Sequence, residues 1–123
     1  MDIQAALGTE ILTIAPGMRI AVPTGLHVSM PQTIEAQVRP RSGLALKHGL
    51  TVANAPGTID SDYRGEIHVL LINLGQKAID ITDGMRIAQL IFSPVLRPEI
   101  IKSDNLDETE RDSGGFGSTG TGR

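Results

Sequence analysis

At 123 residues and 13.1 kDa, with 40% apolar residues and a formal charge of −3, the chain has the size of one domain and is too short for two. It has no cysteine, which excludes disulfides, thiol chemistry and Cys-type zinc sites; no run of eighteen apolar residues suggests a membrane span, and no basic region followed by an apolar one at the start suggests a signal peptide. Net negative charge supplies no general affinity for nucleic acid, so any anion site has to be local; the expectation is a soluble cytoplasmic protein whose partners include neither nucleic acid nor membrane.

In chain order, Arg19 to Met30 is rich in β-branched residues and is broken by Pro23 and Gly25. Thr33 to Arg39 sets Ile34, Ala36 and Val38 against polar neighbours. After Pro40 the β-pattern stops. Residues 41–49 read as a short helix with Ser42 as N-cap, Lys47 and His48 in the last turn, and Gly49 as the stop. The start of that helix, beside the Arg41 guanidinium and the Ser42 hydroxyl, suits a phosphate; a capped helix with a surface arginine is the alternative. Glu66 to Leu74 alternates less cleanly and reads as buried on both faces. Lys77 to Ile81 and Met85 to Val95 complete a set of short strands between Gly and Pro turns, a pattern of barrels and jelly rolls. The rings are few: Phe92 falls in a strand and reads as core, whereas Tyr63 and Phe116 sit among glycines and charges. His27 and His48 lack neighbours at ligand spacing and read as structural or exposed.

Residues 54–66 are the densest in chemistry. Pro56-Gly57 fits the centre of a type II turn and makes a hairpin of its flanks. Asp60, Asp62 and Glu66 bring three carboxylates close together, with Tyr63 and Arg64 between them. A carboxylate here suits a general base toward water or a divalent metal ligand, and Asn54 can both donate and accept. Periodicity leaves the choice of aspartate open, since Asp60 and Asp62 share a face of an extended run. The final segment, 111–123, holds five glycines and four Ser/Thr around Phe116 and begins and ends on arginine. Its composition predicts a mobile tail, which divides the chain into a body of 1–110 and a lid of 111–123. A flexible tail with a ring and basic ends can close over a ligand that has a flat base and phosphates; a disordered terminus with an incidental Phe is the alternative.

Pro40-Arg-Ser-Gly-Leu-Ala, Gly57-Thr-Ile-Asp-Ser-Asp-Tyr-Arg-Gly-Glu, Gly84-Met-Arg-Ile-Ala-Gln-Leu and Arg111-Asp-Ser-Gly-Gly-Phe-Gly-Ser-Thr-Gly resemble motifs two to five of the trimeric dUTPases, the deoxyuridine 5′-triphosphate nucleotidohydrolases. The family's first motif is matched only in part, at Met1-Asp-Ile-Gln-Ala-Ala. The resemblance implies an all-β fold, a distorted jelly-roll β-barrel with one short helix, assembled as a homotrimer whose sites are shared between subunits. It implies hydrolysis of dUTP to dUMP and pyrophosphate with Mg²⁺ on the triphosphate.

By the same match, Asp60 is the base that deprotonates the attacking water. Asn54 and backbone groups of Thr58 and Ile59 through Asp60 read the uracil edge, with Gly57 in the same substrate-binding set. Tyr63 packs on the deoxyribose and excludes a ribose hydroxyl. His68 matches a substrate contact made through the backbone, with a side chain that departs from the family's usual choice. Arg41, Ser42, Gly43 and Gln89 hold phosphates, and Asp2 touches the metal through water. From a neighbouring subunit, Phe116 covers the uracil while Arg111, Ser118 and Thr119 wrap the phosphates, with Gly117 also in the substrate-binding set. The family usually carries a further strand and loop before its first motif, which leaves two alternatives: a start upstream of Met1, or a shortened form with weaker Mg²⁺ binding or a looser trimer. Two rivals are a dCTP deaminase, which lacks this hairpin and this Phe-bearing tail, and a non-enzymatic regulator of the same fold.

Overall fold

Turn residues cut the β-branched runs into short strands, and these strands close on one another. The computed structural model describes residues 1–115, 117, 120 and 122. Nine strands and one helix occur among them: β1 (Asp2–Gln4), β2 (Leu12–Ile14), β3 (Arg19–Pro23), β4 (Ile34–Arg39), α1 (Ser42–His48), β5 (Leu50–Val52), β6 (Gly57–Ile59), β7 (His68–Asn73), β8 (Ile79–Ile81) and β9 (Arg86–Pro94). The strands form a four-stranded sheet ordered β1-β9-β4-β6, a three-stranded sheet ordered β3-β7-β5, and the pair β2-β8. All pairings are antiparallel. This is the expected β-architecture with a single short helix. No helix among the described residues is long and apolar enough to cross a membrane.

One aliphatic core joins the sheets. Ile3 and Ile87 enter from the first sheet, Val22, Leu50, Val69 and Leu71 from the second, and Ile14 and Ile81 from the pair, all essentially without exposure. Phe92 is not part of it. It lies in β9 as expected, opposite Ala36, but it is 50% exposed. The barrel covers β9 only as far as Leu90, and beyond that point Ile91 and Phe92 are both exposed although strict alternation would bury one of them. The strand β7 also departs from the expectation. Val69, Leu71 and Asn73 point inward, whereas His68 and Leu70 are exposed on the outer face.

Asn73 is the polar exception in the core. Its amide donates to the Ile14 and Lys77 carbonyls, each at 2.8 Å, and its oxygen accepts the Gly75 N–H at 2.9 Å. Its backbone also bonds Gly17 and Met18. The side chain thus ties β2 to the turn before β8, and the backbone adds the turn after β2. Asn73→Ala takes the partner from one buried backbone group, the Ile14 carbonyl, at about 1–3 kcal/mol, and from two part-buried ones at Lys77 and Gly75 that water can reach. A loss of about 2–3 kcal/mol in urea unfolding is expected.

The helix ends as expected and starts differently. Gly49 caps it with φ 69°, and a side chain there would lie 2.7 Å from Gly75 Cα. Arg41, not Ser42, occupies the N-cap, and no side chain caps the first turn. Arg41 is the last residue in the β region, so helical geometry begins at Ser42, one residue earlier than a cap at Ser42 would place it.

Candidate active site

The hairpin between β6 and β7 encloses a cavity of about 260 Å³. The cavity is lined by Asn54, Thr58, Ile59 and Asp60 from before the hairpin tip and by Tyr63, Glu66, Ile67, His68 and Leu70 from after it. β6 reaches this place because Gly57, Thr58 and Ile59 pair with Val38, Gln37 and Ala36 of β4. The expected type II turn at Pro56-Gly57 is absent. Gly57 does not have the left-handed φ that the third turn position needs, and it already opens β6. Its missing side chain has another use, since a Cβ would stand 3.3 Å from both the Asn54 amide nitrogen and Val38 Cβ.

The tip of the hairpin separates the two aspartates. Tyr63 N–H donates to the Asp60 carbonyl at 3.1 Å, and Arg64 donates to the carbonyls of Ser61 and Tyr63 at 2.8 and 2.9 Å. The extended run in which Asp60 and Asp62 share a face therefore does not form. Asp60 borders the cavity, and Asp62 points away to solvent.

The segment Thr24–His27 braces the far side of the hairpin. Thr24 Oγ1 donates to the Ile67 carbonyl at 2.6 Å, Ile67 N–H to Leu26 at 2.8 Å, and His27 Nδ1 to Arg64 at 3.0 Å. Glu66 accepts the Gly25 N–H at 2.8 Å, and this bond holds its carboxyl below the usual 4.5, aided by His68. Desolvation, second in size to the Gly25 bond, opposes the shift without reversing it. Glu66 is thus an ionised strut, a poor candidate for proton transfer. The stability it lends is complete above its unfolded value of 4.5 and disappears as pH falls through the lowered folded value. Glu66→Gln keeps an acceptor without the charge, so urea midpoints compared at neutral and acid pH should show a smaller acid loss in the variant than in wild type.

A second cluster lies at the other edge of the same sheet. Asp2 pairs in register with Gln89, whose amide approaches the Asp2 carboxylate at 3.5 Å. Arg41 Nε and Arg86 stand 3.5 and 3.6 Å from that carboxylate, and Arg41 also donates to the Arg86 carbonyl at 2.9 Å. Ser42 and Gly43 follow directly in the first turn of α1, where N–H groups precede the first intrahelical bonds made by Leu44 and Ala45. Among the described residues no group of three His, Cys, Asp or Glu is placed to hold a metal ion. A single carboxylate between guanidiniums fits a Mg²⁺ ion that arrives on a polyphosphate and keeps its waters, and does not fit a free-ion cage.

One chain therefore gathers the expected residues into two groups. Asn54, Thr58, Ile59, Asp60, Tyr63 and His68 share the cavity, with Gly57 behind Asn54. Asp2, Arg41 and Gln89 share the other cluster, with Ser42 and Gly43 beside them. β6 and β1 are opposite edges of the sheet, three strand spacings or about 14 Å apart. Arg111 lines neither group, and its Nε donates to the Gly114 carbonyl at 2.8 Å. Gly117 has a left-handed φ of 89°. Phe116, Ser118 and Thr119 lie outside the described residues. Leu70, Ile67 and Arg86 were not anticipated. Alternation from His68 signals that Leu70 shares its face, whereas nothing in the spacing pairs Arg86 with Asp2.

Comparison with known proteins bears on this geometry. A family model described as dUTPase matches residues 2–120. A deoxyuridine 5′-triphosphate nucleotidohydrolase of Roseobacter denitrificans is 57% identical over 119 residues, covering 97% of this chain and 78% of that protein. One of Brucella melitensis biotype 2 is 56% identical over 122 residues, with coverage of 98% and 78%. Among solved structures, a variant of the Staphylococcus bacteriophage 80alpha dUTPase with dUpNHpp superposes with a TM-score of 0.86 at 24% identity, over 98% of this chain and 85% of that one. A variant dUTPase from phage phi11 of S. aureus, in which coordination of a structural Mg(II) ion is described, gives 0.77 at 22% identity, over 87% and 84%. At these identities the two phage proteins establish the shared fold.

Proposed function

The chain belongs to the dUTPase family, and on that premise we propose that it hydrolyses dUTP to dUMP and pyrophosphate by water attack on the α-phosphorus, with Asp60 as base. The observation that carries this reading is the cavity in which Asn54, Asp60 and Tyr63 meet. A polar amide, a carboxylate and a ring around about 260 Å³ suit a base, its sugar and a positioned water. Asn54 and the β6 backbone pair with the uracil edge. Cytosine exchanges an acceptor for a donor there and leaves buried groups unpaired, which discriminates strongly. Thymine adds a methyl that a close hairpin excludes sterically. Tyr63 occupies the space of a ribose 2′-hydroxyl.

Asp60 accepts the proton of a water held between its carboxylate and the α-phosphorus. Phosphoryl transfer needs mainly positioning and charge neutralisation, so one carboxylate suffices when the substrate holds the water in place. Arg41, the N–H groups of Ser42 and Gly43, and Gln89 bind the phosphates. Asp2 holds Mg²⁺ through water, and the ion, when bound, neutralises triphosphate charge. Because the two groups lie at opposite sheet edges in one chain, the working site joins the hairpin of one subunit to the Arg41 cluster of another in a homotrimer. Segment 111–123 of a neighbouring subunit closes over them, with Phe116 on the uracil and Arg111, Gly117, Ser118 and Thr119 around the phosphates.

Pyrophosphate release from dUTP with Mg²⁺ tests the reading. Turnover of dUTP with no ammonia released from dCTP is the expected result. A wild-type protein that binds dUTP without hydrolysing it would overturn the proposal.

A further inference from the structure

Gly65 stands between two residues of the proposed site and has no assigned role. Its backbone is not left-handed, so conformational freedom does not explain a glycine at this position. Space does. A Cβ on Gly65 would lie 2.6 Å from Tyr63 Cζ and 2.9 Å from Cε2, with the phenol oxygen closer still. The phenol end of the ring is therefore folded back against Gly65. Its hydroxyl donates to the Glu66 carbonyl at 2.8 Å, which fixes the far end.

We infer that Gly65 is the positioning residue for Tyr63: it provides a seat on which the ring lies at the cavity wall, and so sets the width of the pocket where the sugar binds. This rests on the proposed dUTP reading of the same cavity and names the residue that shapes it.

When a side chain is placed at Gly65, either the backbone or the ring has to move. The backbone is held on both sides. The Arg64 carbonyl bonds His27, and the Ile67 N–H and carbonyl bond Leu26 and Thr24, while the Glu66 carboxylate adds a side-chain bond to Gly25. The ring is the far end of a flexible side chain, 45% exposed, with one hydrogen bond to lose. The ring yields, and the fold stays.

The experiment uses a property of this chain: Tyr63 is its one tyrosine and there is no tryptophan. Tyrosine emission therefore reports this ring alone. In full-length Gly65→Ala, iodide quenching should rise, up to about twofold as a half-exposed ring becomes fully exposed, while the thermal midpoint stays close to wild type. KM for dUTP should rise about 10-fold with kcat within about threefold, the pattern of a lost binding contact. In the Tyr63→Ala background, Gly65→Ala should change neither parameter further, because no ring remains to displace. Unchanged quenching in Gly65→Ala would overturn the inference, as would an equal loss of KM or of thermal stability in both backgrounds, which marks a backbone effect. If wild type releases no pyrophosphate from dUTP, the proposed reaction fails, and the quenching measurement still decides the seat.

Discussion

Asp60→Asn is expected to lower kcat for dUTP by about 10²- to 10⁴-fold, the range that a positioned general base contributes. The change is nearly isosteric, and Asp60 is exposed at the cavity rim, outside the core. Neither the Tyr63–Asp60 backbone bond nor the pairing of β6 with β4 involves its carboxylate. Binding of dUTP and thermal stability should therefore stay close to wild type. Asp62→Asn is the internal comparison. That side chain lies outside the cavity, and its removal should leave kcat within about twofold, as for surface substitutions remote from a site. Steady-state pyrophosphate release by the two variants decides between the aspartates. Full turnover by Asp60→Asn would remove it as the base.

Ending the chain at Glu110 is expected to reduce kcat/KM by about 10²-fold or more, while the body stays folded and the trimer assembled. Arg111, Asp112 and Ser113 are exposed, and the hydrogen bonds recorded for 111–114 stay within 109–114. Removing them takes nothing from the aliphatic core. Holding this segment over a ligand costs about 1–2 kcal/mol per residue fixed, so on the proposed reading closure is expected only with the phosphates there to bind it. Sedimentation and thermal unfolding read the assembly, and pyrophosphate release reads the loss. Truncation without kinetic effect would show that the segment is no lid.

Much of the body was legible from alternation. Ile34, Ala36 and Val38 marked β4, Gly49 marked the end of α1, and the runs around 68–73 and 86–94 were recognisable as strands. The three-residue strands β1, β2, β5 and β6 were not. Each is too short for a period-two pattern to stand out, and each is defined by the partner it pairs with. Phe92 misled because hydrophobicity speaks for burial only where a second layer covers the strand, and β9 runs past that layer.

The motifs, by resemblance, pointed to the family that the comparison with known proteins shows and to the residues proposed for the site, because residue types at fixed spacing carry chemistry directly. Only the tertiary structure showed that Asp60 borders the cavity and Asp62 does not, since a hydrogen-bonded turn replaces the extended run. Only the tertiary structure, too, put the hairpin and the Arg41 cluster at opposite edges of one sheet. Strand order is set by which apolar faces pack together, and that is a relation between distant segments which local spacing does not encode.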